Sequence, residues 1–271
     1  MLKAQLSGNY RLKLYPNGYI SGMIFPSPSF VVDGWESNAN KSVYFVQSGV
    51  KDMSAPSRSD SVGRAKRKIF DIALLNEWDY FVTLTLDQKE IDRTNAEEVA
   101  KKFRKWLNNM VTRKDLKYIF VFEHHKDKKG IHMHGLVKCD KLNLSPSVSA
   151  KTGRPMYTKS GQRIYDLKDW KYGFTQCIDL YGEPIHVAKY ITKYITKDTE
   201  KIAGNFYYAG GHDLQREPIV YVGNFENPQN IIPMYFDNQK NDLETKFLME
   251  LALKQNAERL EKYRKEIFKK R

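Results

Sequence analysis

Two histidines separated by one residue, His132 and His134, have the spacing with the clearest chemical meaning in this sequence. Alternate side chains of a β-strand project from the same face, so both imidazoles would share one face, about 7 Å apart at the backbone. Glu123 lies on a preceding segment that is expected to pair with this strand, where its carboxylate can approach both histidines. The set favours a divalent cation, Mn²⁺ or Mg²⁺, and the histidines shift the preference towards Mn²⁺.

The identity of the third ligand stays open between a carboxylate and an imidazole. His125 shares strand parity with Glu123, and Glu123 is preferred because a carboxylate holds a hard cation better than another imidazole. A His-x-His pair by itself is more often two half-buried strand histidines than a metal site. The pair therefore needs a second feature to support it.

The second feature is a segment with two tyrosines, from Pro184 to Lys197. On a helical projection the apolar side holds Ile185, Ala188, Ile191, Thr192 and Ile195, and the opposite side holds His186, Tyr190, Lys193, Tyr194 and Lys197. A phenol with a pKa near 10 is a poor nucleophile, but neighbouring lysines and a metal-bound phosphate favour its phenolate. The β-branched residues equally allow a strand, and the tyrosines could simply bridge core and solvent.

The elements that must position these residues follow from periodicity and turn residues. Apolar positions at helical spacing predict a helix with Val99, Phe103, Trp106, Leu107 and Met110 inward. Around it we expect strands 80–86 and 173–180, a hairpin with arms 117–124 and 131–139, and an irregular insertion or flexible hairpin at 140–168. The N-terminal runs 10–15, 19–25 and 43–47 are predicted strands, 52–63 a linker, 64–76 a basic helix and 241–271 a charged helix.

Composition narrows the function classes. The formal charge of +13 favours polyanions, of which nucleic acid is the commonest for a cytoplasmic protein. No apolar run approaches the roughly 20 residues that cross a bilayer, and no secretory leader is visible, so a cytoplasmic location is expected. Cys139 and Cys177 are too few for a disulfide framework or a four-cysteine zinc site. No Walker loop is present, so the chain should carry no helicase of its own.

Three segments resemble the motifs of HUH replication initiators from rolling-circle plasmids and small single-stranded DNA phages, in the family's order. They are Phe81-Val-Thr-Leu-Thr-Leu86, His132-Met-His-Gly-Leu136 and Tyr190-Ile-Thr-Lys-Tyr-Ile-Thr-Lys197. The resemblance implies an α+β fold with a five-stranded central antiparallel sheet, flanking helices and an RRM-like βαββαβ order. We expect this endonuclease domain at 64–225, a β-rich lead-in at 1–55 and the C-terminal helix at 241–271.

The resemblance also implies roles for the residues. Glu123, His132 and His134 would hold the metal, and a tyrosine would attack the scissile phosphate to leave a 5′-phosphotyrosine and a free 3′-hydroxyl, with later religation by strand transfer. Tyr190 with Lys193 and Tyr194 with Lys197 fit the tyrosine-x-x-lysine motif equally. The implied partners are a single-stranded origin, expected to carry a hairpin, and the helicase and polymerase of a bacterial host cell.

Two other functions stay open from the sequence. A noncatalytic module of RRM-like fold could bind single-stranded nucleic acid by aromatic stacking alone. A transposase of the same superfamily would keep the chemistry but act on transposon ends. The sequence does not determine the oligomeric state.

Overall fold

The computed structural model describes residues 6–24, 30–32, 46–48, 58–124, 130–196, 201–223 and 234–237, together with Glu250 and Lys254. The chain forms two compact units, one of Met1–Ala55 with Glu217–Arg271 and the other of Pro56–Arg216. None of the described helices has the length and apolar character needed to span a membrane. The predicted helix 241–271 lies outside the described residues, apart from Glu250 and Lys254, and stays a prediction.

The first unit contains two antiparallel sheets. One has the order β1-β4-β5 and the other the order β13-β2-β3-β14. Their strands are β1 (Leu6–Gly8), β2 (Tyr10–Leu14), β3 (Ile20–Ile24), β4 (Phe30–Val32), β5 (Val46–Ser48), β13 (Ile219–Gly223) and β14 (Met234–Asp237). The N-terminal strands are therefore joined by strands from beyond residue 216, so this part of the fold combines both ends of the chain.

The second unit is built on one seven-stranded sheet with the order β12-β7-β8-β6-β11-β10-β9, in which every neighbouring pair is antiparallel. Three helices accompany it within the described residues. In chain order the elements are α1 (Arg58–Leu75), β6 (Tyr80–Leu86), α2 (Ala96–Lys114), β7 (Lys117–His124), β8 (Ile131–Lys138), β9 (Leu144–Pro146), β10 (Tyr165–Leu167), β11 (Gly173–Asp179), α3 (Pro184–Thr192) and β12 (Tyr207–Gly210).

The α+β class, the antiparallel sheet and the predicted strands of its centre are confirmed. The expectation of five strands is wrong, because β9 and β10 add a second hairpin at one edge of the sheet. The predicted linker 52–63 is also wrong in its last part, since α1 begins at Arg58. The predicted insertion 140–168 is ordered: β9 pairs with β10, and Val148 pairs with Pro155 further along the arm.

The βαββαβ order holds only for the first half of the unit. The run β6-α2-β7-β8 matches it, but the chain then passes through β9 and β10 before β11. The next helix, α3, follows β11 instead of preceding it, and leads to β12 at the opposite edge, beside β7. Short strands with little apolar alternation, such as Leu144–Pro146, gave the sequence pattern too little signal for this departure.

Helix α2 covers one face of the sheet and supplies much of the hydrophobic core. All five residues predicted to face inward from it are buried, and they pack with Val82, Leu84, Phe120, Phe122 and Met133. The Asn95 side chain caps its N-terminus by accepting a hydrogen bond from the Glu98 backbone N–H, and Asp115 ends it in the left-handed conformation. This packing fixes which side chains of β6, β7 and β8 face away from α2.

The opposite face of the sheet contacts α1 and α3. These helices contact each other, α1 also contacts β7, and α3 contacts β8. Ile69 and Ile72 of α1 are completely buried, as are Ala188 and Ile191 of α3. The candidate chemical residues project from this second face.

Gly135 allows β8 to pack closely against its neighbour. A Cβ atom there would lie 2.3 Å from the ring of Phe120, which is fully buried and pairs with Gly135 across β7 and β8. We expect Gly135→Ala to lower the free energy of unfolding by about 1–3 kcal/mol, because the core must be overpacked. Urea denaturation measures this change.

Gly63 of α1 provides the matched control. A Cβ atom at Gly63 meets nothing closer than an Arg67 side-chain nitrogen at 3.7 Å. Gly63→Ala should therefore leave stability unchanged or raise it by about 0.5–1 kcal/mol, since alanine favours the helix. Equal effects of the two substitutions would contradict this account of the packing at Gly135.

Candidate active site

Three successive rows of paired residues run across the sheet on the α1 and α3 face. The first row, Ile178, Phe81, Leu136 and Ile119, belongs to the part where α3 contacts β8. The next contains Gln176, Thr83, His134 and Val121, and the third contains Phe174, Thr85, His132 and Glu123. Burial decreases along these rows, from fully buried Leu136 and Ile119 to exposed Phe174 and Glu123. The predicted metal ligands lie where this face opens to solvent.

Glu123 bonds directly to one of the two histidines. Its Oε2 lies 2.9 Å from Nε2 of His134, although its cross-strand partner is His132. The His134 side chain is 10% exposed and that of Glu123 is 47% exposed. The pair thus joins a buried imidazole to a carboxylate at the solvent boundary.

Threonine hydroxyls of β6 hold the other nitrogen of each imidazole. Nδ1 of His134 lies 3.1 Å from the Thr83 hydroxyl, and Nδ1 of His132 lies 3.0 Å from the Thr85 hydroxyl. Both contacts follow from the pairing of β6 with β8, which places each threonine opposite its histidine. The two Nδ1 atoms are therefore turned towards β6, and Nε2 of each ring is the atom left for other partners.

His134 is neutral at physiological pH. Burial lowers its pKa from 6.5 to about 4, and the positive charge of Lys193 contributes to the lowering. An ionised carboxylate only accepts hydrogen bonds, so in this state His134 Nε2–H donates to Glu123 and Nδ1 accepts from Thr83. A neutral imidazole is the form that can bind a metal ion.

The donor set suits a divalent cation, although the three predicted ligands do not converge fully. Within the described ranges no three His, Cys, Asp or Glu side chains form a ready-made metal group. The 2.9 Å between Glu123 Oε2 and His134 Nε2 matches two adjacent ligands on one ion, which lie about 3 Å apart at bond lengths near 2.1 Å. The His132 ring lies 5.9 Å from that of His134, so rotation of the His132 side chain would have to complete the set.

The tyrosine segment begins as the predicted helix and ends earlier than the motif. Pro184 occupies the first turn of α3, and the inward positions Ile185, Ala188, Ile191, Thr192 and Ile195 are all buried as predicted. The regular helix ends at Thr192, and Tyr194 lies in the following turn, where its N–H donates to the Ile191 carbonyl. The prediction that both phenols share an exposed helix face holds for Tyr190 but not for Tyr194, which is half-buried.

Tyr194 joins the helix segment to the histidine strand. Its ring stacks on the His134 imidazole at a centroid distance of 3.9 Å and an angle of 15°. Its hydroxyl donates to the Tyr190 hydroxyl at 3.3 Å, and both rings contact Phe81. The two candidate nucleophiles and the histidine thus form one aromatic cluster.

Lys193 supplies positive charge to this cluster. Its Nζ lies 3.5 Å from the centroid of the Tyr190 ring and 4.9 Å from that of Tyr194. Burial nevertheless raises the pKa of Tyr194 well above its usual value, and the hydrogen bond to Tyr190 and the negative charge of Glu123 raise it further. Tyr194 is therefore firmly protonated in the absence of added charge at the site.

The structure brings together Glu123, His132, His134, Tyr190, Lys193 and Tyr194 from four separate elements of the chain. Lys197 and His125 lie outside the described residues, so their predicted roles stay predictions. Sequence analysis gave no role to Thr83 and Thr85, which hold the histidines. Their period-two spacing matches that of His132 and His134, but the partner of β6 is not readable from the sequence.

Comparison with known families supports the part of the chain that carries this site. A family model described as Replication-associated protein, of the ORF2 type, matches residues 79–199. Residues 79–199 are thus similar to replication-associated proteins. This replication-associated segment is under half of the chain, and it contains every predicted metal ligand, tyrosine and lysine. Searches of curated proteins and of solved structures gave no match.

The lowered pKa of His134 predicts a pH dependence of stability. As the pH falls below 6.5, the unfolded chain binds a proton at this histidine before the folded chain does. The contribution is complete above pH 6.5 and is lost as the pH falls towards 4, by up to roughly 3 kcal/mol. Urea denaturation in chelator across this range should show a decline that is absent in His134→Gln. Identical pH profiles of the two proteins would contradict a buried, neutral His134.

Proposed function

We propose that this protein nicks single-stranded origin DNA by tyrosine attack, as a metal-dependent HUH initiator of rolling-circle replication. The observation that carries the proposal is the stacking of Tyr194 on His134, which is itself bonded to Glu123. A candidate nucleophile and two candidate ligands thereby meet on one open sheet face. The similarity of residues 79–199 to replication-associated proteins supports replication over transposition.

Glu123, His132 and His134 are the residues that would hold the cation. When bound there, Mn²⁺ or Mg²⁺ would withdraw electron density from the scissile phosphate and offset its negative charge. The exposed carboxylate and the partly exposed His132 lie on the solvent side of the set, where a phosphate can approach.

Thr83 and Thr85 prepare the two imidazoles for this role. To offer Nε2 as a ligand, His134 must release the hydrogen that it shares with Glu123 and carry one on Nδ1 instead. The Thr83 hydroxyl then changes from donor to acceptor, which a hydroxyl does without moving its oxygen. Thr85 can do the same for His132, so each threonine holds its ring in both protonation patterns.

In the proposed reaction a phenol oxygen attacks phosphorus as the bond from phosphorus to the 3′ oxygen breaks. The phenol loses its proton and the 3′ oxygen gains one, leaving a 5′-phosphotyrosine and a free 3′-hydroxyl. Tyr190 and Tyr194 both remain candidates, and their hydroxyls are close enough to pass a proton between them. Lys193 favours the phenolate of either one by its charge.

A covalent adduct tests the proposal. The protein is incubated with a random-sequence single-stranded DNA library, labelled at the 3′ end, in Mn²⁺. We expect labelled DNA to stay attached to the protein on denaturing gels, and chelator to abolish the attachment. Tyr190→Phe combined with Tyr194→Phe should also abolish it, because no phenol then remains beside His134.

Tyr181→Phe is the matched control, since Tyr181 is an exposed tyrosine that precedes the same helix. It should form adduct as the wild type does. Adduct formation by the double variant at the wild-type level would show that neither tyrosine is the nucleophile. Binding of the library without any adduct would favour the noncatalytic single-strand-binding function.

The threonines provide a separate prediction on cation binding. Thr83→Val removes the hydroxyl that holds His134 and keeps the side-chain shape, so we expect Mn²⁺ affinity to fall about 10- to 100-fold. Thr83→Ser keeps the hydroxyl and should retain most of the affinity. Titration calorimetry measures both variants. Equal affinity of Thr83→Val and the wild type would contradict the role given to Thr83.

A further inference from the structure

A phenylalanine with most of its ring in solvent lies at the end of the most open row of the site. Phe174 is 69% exposed, although it belongs to a strand in the interior of the seven-stranded sheet. It pairs with Thr85, and the same row continues through His132 to Glu123. Neighbouring strands are about 4.8 Å apart, so the backbones of Phe174 and His132 are about 10 Å apart.

The backbone around Phe174 is tightly fixed. Gly173 has a φ of +145°, and a Cβ atom there would lie 2.3 Å from the Thr85 carbonyl oxygen and 2.6 Å from the Asp87 nitrogen. Asp87 N–H donates to the Tyr172 carbonyl at 2.9 Å, which holds the start of β11 against the end of β6. Phe174 is therefore presented by a rigid strand pair.

Its surroundings distinguish Phe174 from an ordinary exposed apolar residue. Single exposed apolar side chains are common and need no explanation by themselves. Phe174, however, shares its face and row with the two polar residues Thr85 and His132, and the next row begins with exposed Gln176. The ring is thus an isolated flat apolar surface beside groups that suit a phosphate.

We infer that Phe174 stacks against a base of the bound single strand, next to the phosphate that the site holds. This inference rests on the proposed function, because it takes the bound strand from there. Aromatic side chains on open sheet faces stack bases with little sequence preference, since every base has a flat face. Phe174 would then be a positioning residue, because it holds the strand and does not touch the reacting atoms.

Two probes of equal charge separate stacking from backbone binding. One is an oligothymidylate about 12 nucleotides long, within the range that single-strand-binding folds cover. The other has the same phosphodiester length with abasic sites throughout. Fluorescence anisotropy in chelator and at fixed salt measures binding without cleavage. We expect Phe174→Ala to bind the thymidylate about 5- to 100-fold more weakly and the abasic strand as the wild type does.

Phe174→Trp should restore the preference for the strand with bases, and Tyr181→Ala, which removes an aromatic ring that is 75% exposed outside the row, should retain it. Thermal unfolding checks that the variants are folded. Wild-type binding of both probes by Phe174→Ala would overturn the inference, as would an equal loss for both probes. The assay requires no adduct, so failure of the nicking proposal would be recognised separately.

Discussion

The position of the His134 imidazole is the constraint on which the candidate site depends. Thr83 and Glu123 bond its two nitrogens, and the Tyr194 ring covers its face. These three residues come from β6, from β7 and from the turn after α3, so the ring records the correct assembly of the whole face. Burial keeps the imidazole neutral, and the neutral form is the one that can serve as a ligand. One buried side chain thereby links the fold to the proposed chemistry.

The site lies where the cover of two helices over the sheet ends. Further along the same strands, Phe81, Leu136 and Ile119 are buried on this face. Towards the open end of the rows, Thr85, His132 and Glu123 become accessible while the backbone remains in the same sheet. A phosphate can therefore reach groups that are held by a rigid framework. Phe174, in the same row, extends this accessible surface towards a neighbouring nucleotide.

Much of this arrangement could be predicted from local sequence, and the rest depends on contacts distant in the chain. Period-two and helical patterns predicted β6, α2, the β7 and β8 hairpin and the buried side of α3. They did not predict β9 and β10, whose pairing is short, or the addition of β13 to the N-terminal strands. The histidine spacing predicted a shared face, but Thr83 and Thr85 became partners only through strand order. Tyr194 is half-buried because it lies past the helix end, against His134.

The most direct test of the account is to identify the residue that becomes linked to DNA. Trypsin would release Tyr190 and Tyr194 on two identical peptides, Tyr-Ile-Thr-Lys, so cleavage before aspartate is needed, which keeps both tyrosines on the fragment 179–197. The account predicts that fragmentation mass spectrometry of the trapped adduct finds a nucleotide on Tyr190, on Tyr194 or on each in different molecules. A nucleotide on a serine, a histidine or a tyrosine elsewhere in the chain would contradict it.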